Sequence, residues 1–306
     1  MTRLRQAAHG GALAATATRA AATLRRGRAG AMALAALAAT AAMAAGSVAG
    51  AAPDPTGANS VSAEAVVGSV AVGDRLVEAA HRIPLARRDL APGARQLVTV
   101  TSARFASTTA TLRAWRRLPS GEWALAHGPV PAVIGYGGWV VATQRRQSTG
   151  TTPAGRFALP TAFGRLSDPG TRLPYRRVDG NDWWPYEPRD PATYNIYQRH
   201  RAPRTDWRRG FAEHLVGYPR QYSLAVVVGF NLPRGVHYSR SRRQWVATSP
   251  ADTKRGGGIF LHVRGDGLTA GCVAMSRPEM RWLLRWLRPA AEPRVVMGPR
   301  RYVRTL

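Results

Sequence analysis

The feature that most constrains the fold is a succession of short segments, starting near residue 96, in which apolar and polar residues alternate. Such alternation predicts half-buried β-strands, because successive side chains of a strand point to opposite faces. The alternating segments are LVTVTSA, TATLRAWRRL and, after a Pro-Ser-Gly turn, GEWALA. Two later segments, YSLAVVVGF and GGIFLHV, are continuously apolar, as in strands buried on both faces. The sequence therefore predicts a mainly β fold.

One helix is predicted with clear boundaries near the C-terminus. Ser276 stands three residues before Glu279, which is the spacing of a capping box, and Pro278 is tolerated in a first helical turn. Pro289 predicts the end of the helix, and the VVMG segment beyond it predicts a last strand. The apolar residues of the helix recur on one face: Met280, Leu283, Leu284 and Leu287.

The first 51 residues have the composition of an export signal. Six arginines and no acidic residue accompany an alanine-rich, charge-free run that closes on Ala49-Gly50-Ala51, an A-x-A cleavage pattern. We predict a signal peptide over residues 1–51, cleaved after Ala51. The alternative is an uncleaved membrane anchor, since the charge-free run is longer than the roughly 20 residues that span a bilayer.

The rest of the chain divides by composition. Residues 52–95 open with the small, polar stretch APDPTGANSVSAEA and are predicted to be a linker with a short N-terminal segment. Residues 96–306 form the predicted main domain. Within it, residues 165–220 are rich in Trp, Tyr, Pro, Asp and Arg, which predicts an insertion carrying short helices. This insertion is expected to be a lid or binding wall, or else a surface excursion held by its aromatic residues.

The charge balance is strongly basic, with 44 Lys+Arg against 17 Asp+Glu and a formal net charge of +27. Removing the six arginines of the predicted signal leaves +21. Such a charge attracts polyanions, of which nucleic acid, anionic lipid and anionic polymers of a bacterial wall are the candidates. The dispersed arginines and the predicted export argue against nucleic acid.

Cys272 is the only cysteine, and it follows His262 by ten residues in IFLHVRGDGLTAGCVAM. Since one cysteine cannot form an internal disulfide, it is a buried inert thiol, part of an intermolecular bridge, or a nucleophile. A nearby histidine can take the thiol proton, and Gly271 leaves room for amides around an oxyanion. Zinc binding by His262, Cys272 and His237 lacks the usual ligand spacing, so no metal is expected.

Two motifs resemble the L,D-transpeptidase catalytic domain family. TAGCVAM after FLHV is similar to the family's histidine followed by [Ser/Thr]-His-Gly-Cys, and STGTTPAGRF is similar to its TPxG hairpin. The resemblance covers about residues 96–300, and the EHL and VVVGFN segments resemble an actinobacterial branch. It implies a β-sandwich or barrel with a helix after the cysteine, and an enzyme that needs neither metal nor organic cofactor.

The resemblance also implies roles for individual residues. Cys272 is expected to be the nucleophile and His262 the general base, with the carbonyl of Val263 holding the imidazole. The amides of Gly271 and Cys272, with Ala270 as a further donor, are expected to form the oxyanion hole.

The motif also departs from the family pattern. Ala270 stands where the family has its second histidine, Ala274 where Arg or Asn is common, and the His–Cys spacing is shorter than usual. These departures concern substrate recognition and the choice between acyl transfer to an amine and hydrolysis of the acyl-enzyme. Candidate substrate contacts are His214, His237, Arg264 and Thr269. For His214 the alternative is a structural hydrogen-bonding histidine, and for Arg264 a solvated side chain.

The function expected from these features is a wall-associated or secreted enzyme that cross-links peptidoglycan through a thioester on Cys272, releasing D-alanine and using an amine acceptor. The alternatives are an L,D-carboxypeptidase, with water as acceptor, and a non-catalytic basic wall-binding module. The expected partners are peptidoglycan stem peptides, anionic wall polymers and, as inhibitors, carbapenem-type β-lactams.

Overall fold

The computed structural model of the protein describes residues 91–200, 207–208 and 210–306. The predicted signal peptide and residues 52–90 of the predicted linker lie outside this part, so the domain boundaries remain predictions. Among the described residues, no helix combines the length and apolarity needed to cross a membrane.

The described chain contains sixteen strands, two α-helices and four short 3-10 turns. The strands are β1 (Gln96–Ser102), β2 (Thr109–Arg117), β3 (Trp123–Val133), β4 (Trp139–Val141), β5 (Thr152–Ala158), β6 (Ala162–Gly164), β7 (Tyr175–Arg177), β8 (Asp182–Pro185), β9 (Gln198–Arg199), β10 (Ala212–His214), β11 (Ala225–Val227), β12 (Arg234–Ser239), β13 (Gln244–Ser249), β14 (Phe260–Val263), β15 (Val273–Met275) and β16 (Arg294–Pro299). The helices are α1 (Arg277–Trp286) and α2 (Arg300–Val303), and the 3-10 turns are Ala142–Gln144, Leu215–Gly217, Gln221–Ser223 and Pro289–Ala291.

Eleven strands form one mixed sheet in the order β4-β5-β16-β1-β2-β3-β15-β14-β11-β6-β7. The neighbours β4/β5, β16/β1, β15/β14 and β6/β7 are parallel, and the other neighbours are antiparallel. Two smaller sheets lie outside it: β10-β8-β9 within the insertion and the β12-β13 hairpin. The predicted alternating segments correspond to β1, β2 and β3, and the two continuously apolar segments contain β11 and β14.

The large sheet must curl back on itself, because two strands far apart in it are close in the chain. Eight strand spacings separate β5 from β6, which at about 4.8 Å each is roughly 38 Å in a flat sheet. The connection between them, residues 159–161, reaches only about 14 Å. Two hydrogen bonds bridge the ends, from Gly229 N–H to Ala158 O (2.8 Å) and from Val227 N–H to Thr161 O (2.9 Å). The predicted β-sandwich or barrel class is confirmed.

The main core lies on the inner face of this curled sheet, where α1 covers it. The helix begins and ends close to the predicted residues, with Leu287 N–H donating to Leu283 O at its end (3.0 Å). The four predicted helix residues, Met280, Leu283, Leu284 and Leu287, are buried. Each such side chain contributes about 1.5–3 kcal/mol through removal of apolar surface from water. The helix therefore fixes the end of β15, the strand that directly follows Cys272.

The N-terminus of α1 keeps only half of the predicted capping box. Ser276 Oγ accepts a hydrogen bond from Glu279 N–H (3.4 Å). The Glu279 carboxylate instead contacts His127 Nε2 on β3, and the imidazole of His127 stacks on Trp282 of the helix. The side chain that would close the box is thus used to tie the helix to the sheet.

The insertion at residues 165–220 contains strands where the sequence predicted short helices. Its described part holds β7, β8, β9, β10 and a single 3-10 turn, and three of its strands have only two or three residues. It contains a half-exposed ion pair: Glu187, with no exposed side-chain surface, accepts from Nε and Nη2 of the exposed Arg208 (both 2.8 Å). The prediction of helices was wrong here because strands of two to four residues are too short to show an alternation of apolar and polar residues.

Candidate active site

Two adjacent parallel strands bring His262 and Cys272 to one face of the sheet. In the register of β14 and β15, Leu261 lies beside Val273 and His262 beside Ala274. Leu261 and Val273 point into the main core, whereas Cys272 and Phe260 belong to a second apolar cluster on the opposite face. Because side chains alternate along a strand, His262 shares the face of Cys272.

The Cys272 thiol is buried and fully engaged in hydrogen bonds. Its Sγ donates to Gly258 O and accepts from Phe260 N–H, both at 3.3 Å. Burial raises the pKa of the thiol to about 12, and the negative charge of Glu213 adds to this increase. The Phe260 amide and the Arg145 guanidinium lower the pKa in part. The resting side chain is therefore a thiol and not a thiolate at neutral pH.

The His262 imidazole is buried, neutral and held in one tautomer. Its Nδ1 lies 2.8 Å from Val263 O, and since a carbonyl can only accept, Nδ1 carries the proton. Burial lowers the imidazole pKa to about 4, although the hydrogen bond to Val263 opposes the shift. Tyr222 packs edge-on against the ring at 5.6 Å. Nε2 consequently presents a lone pair that can accept a proton.

Two cavities of about 210 Å³ each meet at Cys272. The arginine cavity is lined by Tyr136, Arg145, Gln147, Tyr186 and Gly258, among others. The acidic cavity is lined by Tyr218, Gln221, Tyr222, His262, Asp266 and Thr269, among others. Three residues line both: Glu213, Ala270 and Cys272. A single thiol is therefore accessible from two compartments of different chemistry.

Arg145 supplies the positive charge of the arginine cavity. The side chain is buried; its Nε donates to Thr151 O (2.9 Å) and its Nη1 to Arg255 O (2.6 Å). Burial lowers the pKa of the guanidinium, while the nearby Cys272 raises it. Nη2 lies against Gly271, 3.0 Å from where a Cβ of that residue would stand. The hydrogen bonds from Nε and Nη1 thus fix the guanidinium so that Nη2 lies next to the loop that precedes Cys272.

The loop before Cys272 requires glycine at position 271. Gly271 has φ +136°, and a Cβ there would come within 2.8 Å of Thr151 O. Its amide donates to Thr269 Oγ1 (3.2 Å), and that hydroxyl donates to Cys272 O (2.6 Å). Thr269 therefore shapes the turn. The Gly271 amide is engaged in this conformation, and an oxyanion would have to compete with Thr269 for it.

Asn195, in the insertion, positions Gly258, whose carbonyl accepts the hydrogen bond from the Cys272 thiol. Its Oδ1 accepts from Trp184 Nε1 and from Gly258 N–H, both at 2.8 Å. Its Nδ2 donates to Asn231 O at 2.7 Å. Asn195 adopts a left-handed conformation, with φ +59°. The insertion thus contacts the site through the loop that positions Gly258 O.

Comparison with known proteins identifies the fold family. A family model of the L,D-transpeptidase catalytic domain matches residues 122–297, more than half of the chain. The chain belongs to the L,D-transpeptidase family. No curated protein and no solved structure matches it. L,D-transpeptidases act on peptidoglycan and are targeted by carbapenems.

Within this L,D-transpeptidase domain, several residues named from the sequence lie together. His262 and Cys272 line the acidic cavity together with Thr269 and Ala270. The Nδ1–Val263 O contact implied by the resemblance is present. Between Sγ and the imidazole there is no hydrogen bond among the described residues, because the thiol donates to Gly258 O instead. Proton transfer to His262 thus requires the S–H group to leave Gly258 O.

Three other candidates lie outside the two cavities. His214 stacks on Trp183 with its ring centroid 4.1 Å away, and its Nε2 donates to Gly180 O (2.8 Å). His237 is exposed on the β12-β13 hairpin, where Nδ1 donates to Gly235 O (3.0 Å). Arg264 is exposed just after β14 and lines neither cavity. The contacts of His214 are those of a structural hydrogen-bonding histidine, the alternative considered for it from the sequence.

Four residues that sequence reasoning did not assign to the site contribute to it: Arg145, Glu213, Tyr222 and Asn195. The EHL segment carried a usable signal, because adjacent residues of a strand face opposite sides. His214 faces Trp183, so Glu213 faces the cavities. Arg145 and Tyr222 had no local signal that separates them from the other arginines and tyrosines of the chain.

Proposed function

We propose that the protein is an exported L,D-transpeptidase that cross-links peptidoglycan stems through a thioester on Cys272. The observation that carries the proposal is the pairing of a buried thiol with a neutral, tautomer-fixed imidazole in one cavity of an L,D-transpeptidase domain. Cys272 is the nucleophile and His262 the general base. The basic chain is held near anionic wall polymers by its charge.

In the first half-reaction the thiol proton passes to His262 Nε2 as Sγ attacks the stem carbonyl that precedes D-alanine. The tetrahedral oxyanion takes hydrogen bonds from amides of the cysteine loop. When the C–N bond breaks, the Nε2 proton goes to the departing amine of D-alanine. Because both resting pKa values favour the neutral pair, the proton moves during attack and no resting ion pair forms.

Arg145 gives the donor its orientation in this proposal. The leaving D-alanine carries a carboxylate, and the arginine cavity holds a guanidinium with two of its nitrogens already fixed. A planar fork is well suited to a carboxylate. The donor's terminal carboxylate therefore lies in the arginine cavity, with the scissile carbonyl over Cys272.

The experiment is incubation of the mature protein with a disaccharide-tetrapeptide, followed by mass spectrometry. Release of D-alanine with a cross-linked dimer is the expected result. Release of D-alanine with tripeptide alone identifies an L,D-carboxypeptidase. An intact substrate that co-sediments with the protein on isolated wall identifies a binding module, and the proposal is then abandoned.

A further inference from the structure

The acidic cavity has an unusual charge for this chain. Two carboxylates line it, those of Glu213 and Asp266, and no arginine or lysine does in the part of the chain that the structure describes. The whole sequence carries 44 Lys+Arg against 17 Asp+Glu. Asp266 is exposed at the rim and pairs with Arg220 (2.5 Å). Glu213 is half-buried and, with Cys272, lines both cavities, so it is the carboxylate of this cavity that shares its lining with the thiol.

Among the described residues, Glu213 is held by a hydrogen bond from a tyrosine and forms no ion pair. Tyr222 Oη donates to Glu213 Oε2 at 2.6 Å, and burial raises the carboxyl pKa to about 7 in spite of this bond. The titratable and charged side chains that line the two cavities with it are Tyr136, Tyr186, Tyr218, Tyr222, Cys272, His262, Asp266 and Arg145. A carboxyl in this setting can gain or lose a proton near neutral pH.

Glu213 does not favour the nucleophile. Its negative charge raises the pKa of the Cys272 thiol, which opposes formation of the thiolate. The base for the thiol is also already present, because His262 Nε2 presents a free lone pair. A carboxyl that hinders the first half-reaction is explained if it serves the second, in which the incoming group is a protonated amine.

We infer that Glu213 is the acceptor-binding residue: it binds a primary ammonium group in the acidic cavity and takes a proton from it. The inference rests on the proposed function, in which an amine resolves the thioester. Glu213 lines both cavities, but the arginine cavity also holds the guanidinium of Arg145, so the acidic cavity attracts an ammonium group more strongly. Donor and acceptor therefore approach Cys272 from opposite sides of Ala270, whose small side chain lines both cavities.

The protons balance as follows. The acceptor ammonium gives one proton to the Glu213 carboxylate, and the resulting amine attacks the thioester carbonyl. The nitrogen passes a second proton to His262 Nε2 as the C–N bond forms. The C–S bond then breaks, and Nε2 returns this proton to the departing sulfur of Cys272. The proton on Glu213 is lost to solvent, which restores the resting site.

The test separates the two half-reactions in Glu213→Gln, which still offers Tyr222 a hydrogen-bond acceptor. D-alanine release in a single turnover is expected to be no slower than in wild type, because removing the Glu213 charge lowers the pKa of the Cys272 thiol. With tetrapeptide as donor and acceptor, the ratio of dimer to hydrolysed tripeptide is expected to fall at least about tenfold, as removal of one charged hydrogen bond predicts. Hydroxylamine, which is largely uncharged at neutral pH, is expected to resolve the thioester equally well in both proteins.

Two further variants make the test specific. Asp266→Asn removes a charge from the rim of the same cavity and is expected to lower the dimer ratio less than twofold. Tyr222→Phe keeps the aromatic packing but removes the bond that holds the Glu213 pKa down. The wild-type transfer rate is expected to fall as the pH drops through about 7, where the Glu213 carboxylate gains a proton. Because Tyr222→Phe raises the Glu213 pKa further, its transfer rate is expected to fall at a higher pH.

The inference is overturned if Glu213→Gln keeps the wild-type dimer ratio, or if Asp266→Asn lowers it equally. It is also overturned if Glu213→Gln loses single-turnover D-alanine release while its melting temperature is unchanged, since Glu213 then serves acylation. Failure of the proposed function has a different signature: the wild-type protein itself releases no D-alanine.

Discussion

The two cavities that meet at Cys272 are alike in volume and differ in charge, although Glu213 lines both. One holds the guanidinium of Arg145, fixed by two carbonyls of its own chain. The other contains Glu213 and Asp266 and no positively charged side chain among the described lining residues. The arginine side chain is fixed by two hydrogen bonds, whereas in the described part of the chain the glutamate receives one side-chain hydrogen bond, from Tyr222.

This difference matches the charges of the two groups that a transpeptidase must handle. The group that leaves carries a carboxylate, and the group that enters carries an ammonium. A site of uniform charge would attract one and repel the other. In the proposed reaction, a guanidinium in one cavity only and a second carboxylate in the other would let the site release an anion and admit a cation without rearrangement. The following experiments address this division, from the largest expected effect to the smallest.

Substitution of Cys272, which lines both cavities, is expected to abolish both half-reactions. Cys272→Ala should show no D-alanine release and no covalent carbapenem adduct by intact mass. His262→Ala should retain the thiol and lose about 10²- to 10⁴-fold in rate, the usual contribution of a general base. Both variants should melt within about 5 °C of wild type. Wild-type activity in Cys272→Ala would remove the thiol from the mechanism.

The labelling rate of the thiol by iodoacetamide should rise about tenfold per pH unit between pH 6 and 9, because only the thiolate reacts. The reason is the thiol pKa of about 12, which leaves no plateau in this range. Glu213→Gln should label faster above about pH 7, where the wild-type carboxyl is charged. A plateau below pH 9 would mean that the thiolate is stabilised at rest.

Arg145→Gln tests the other cavity. The loss of a charged hydrogen-bond donor is worth about 1.5–3 kcal/mol, so D-alanine release should fall about 10- to 100-fold. The dimer-to-tripeptide ratio of the product that does form should stay within about twofold of wild type. A melting curve serves as control, since Arg145 also binds Thr151 O and Arg255 O. Equal losses in acylation and in partitioning would mean that the cavities do not act separately.

The smallest effect is expected from the ion pair that supports the arginine cavity from the insertion. Hydrogen bonds from Arg208 lower the Glu187 pKa to about 2, and its neighbour Tyr186 lines that cavity. Since the folded pKa lies below the unfolded one, this stabilisation is present above about pH 4.5 and is lost as pH falls through about 2. Glu187→Gln should destabilise the protein by about 1–3 kcal/mol at neutral pH in urea melts.

The difference between wild type and Glu187→Gln should shrink as the pH is lowered from 4.5 toward 2. A constant difference across this range would show that Glu187 contributes by packing and not by charge.

The elements with strong local periodicity were predicted well from the sequence. β1, β2 and β3 are seven to eleven residues long and each contains part of an alternating segment, and the four apolar residues predicted for α1 occur at helical spacing. The second half of the capping box was wrong because Glu279 found a tertiary partner in His127, which is 152 residues away in the chain. Prediction from neighbouring residues cannot include a partner that is so distant in the chain.

The composition of the site was less predictable for the same reason. Cys272 and His262 are close in sequence, on strands that pair directly, so their common face follows from the motif. Glu213 reaches the site through β10, which pairs with β8 in a separate small sheet. No local pattern specifies that this sheet stands beside β14. The choice between His214 and Glu213 then depends on which face of β10 is turned inward.

The hydrogen bond from Cys272 to Gly258 O has a consequence for the chemical lifetime of the protein. Oxidation of cysteine to sulfenic and higher acids begins from the thiolate. A sulfur that keeps its proton, is 8 % exposed and has no second cysteine in the chain is a poor substrate for peroxide and cannot be trapped as an internal disulfide. The proposed export would place the protein where no reducing pool repairs such damage, and there the contact that holds the proposed nucleophile at rest would also preserve it between turnovers.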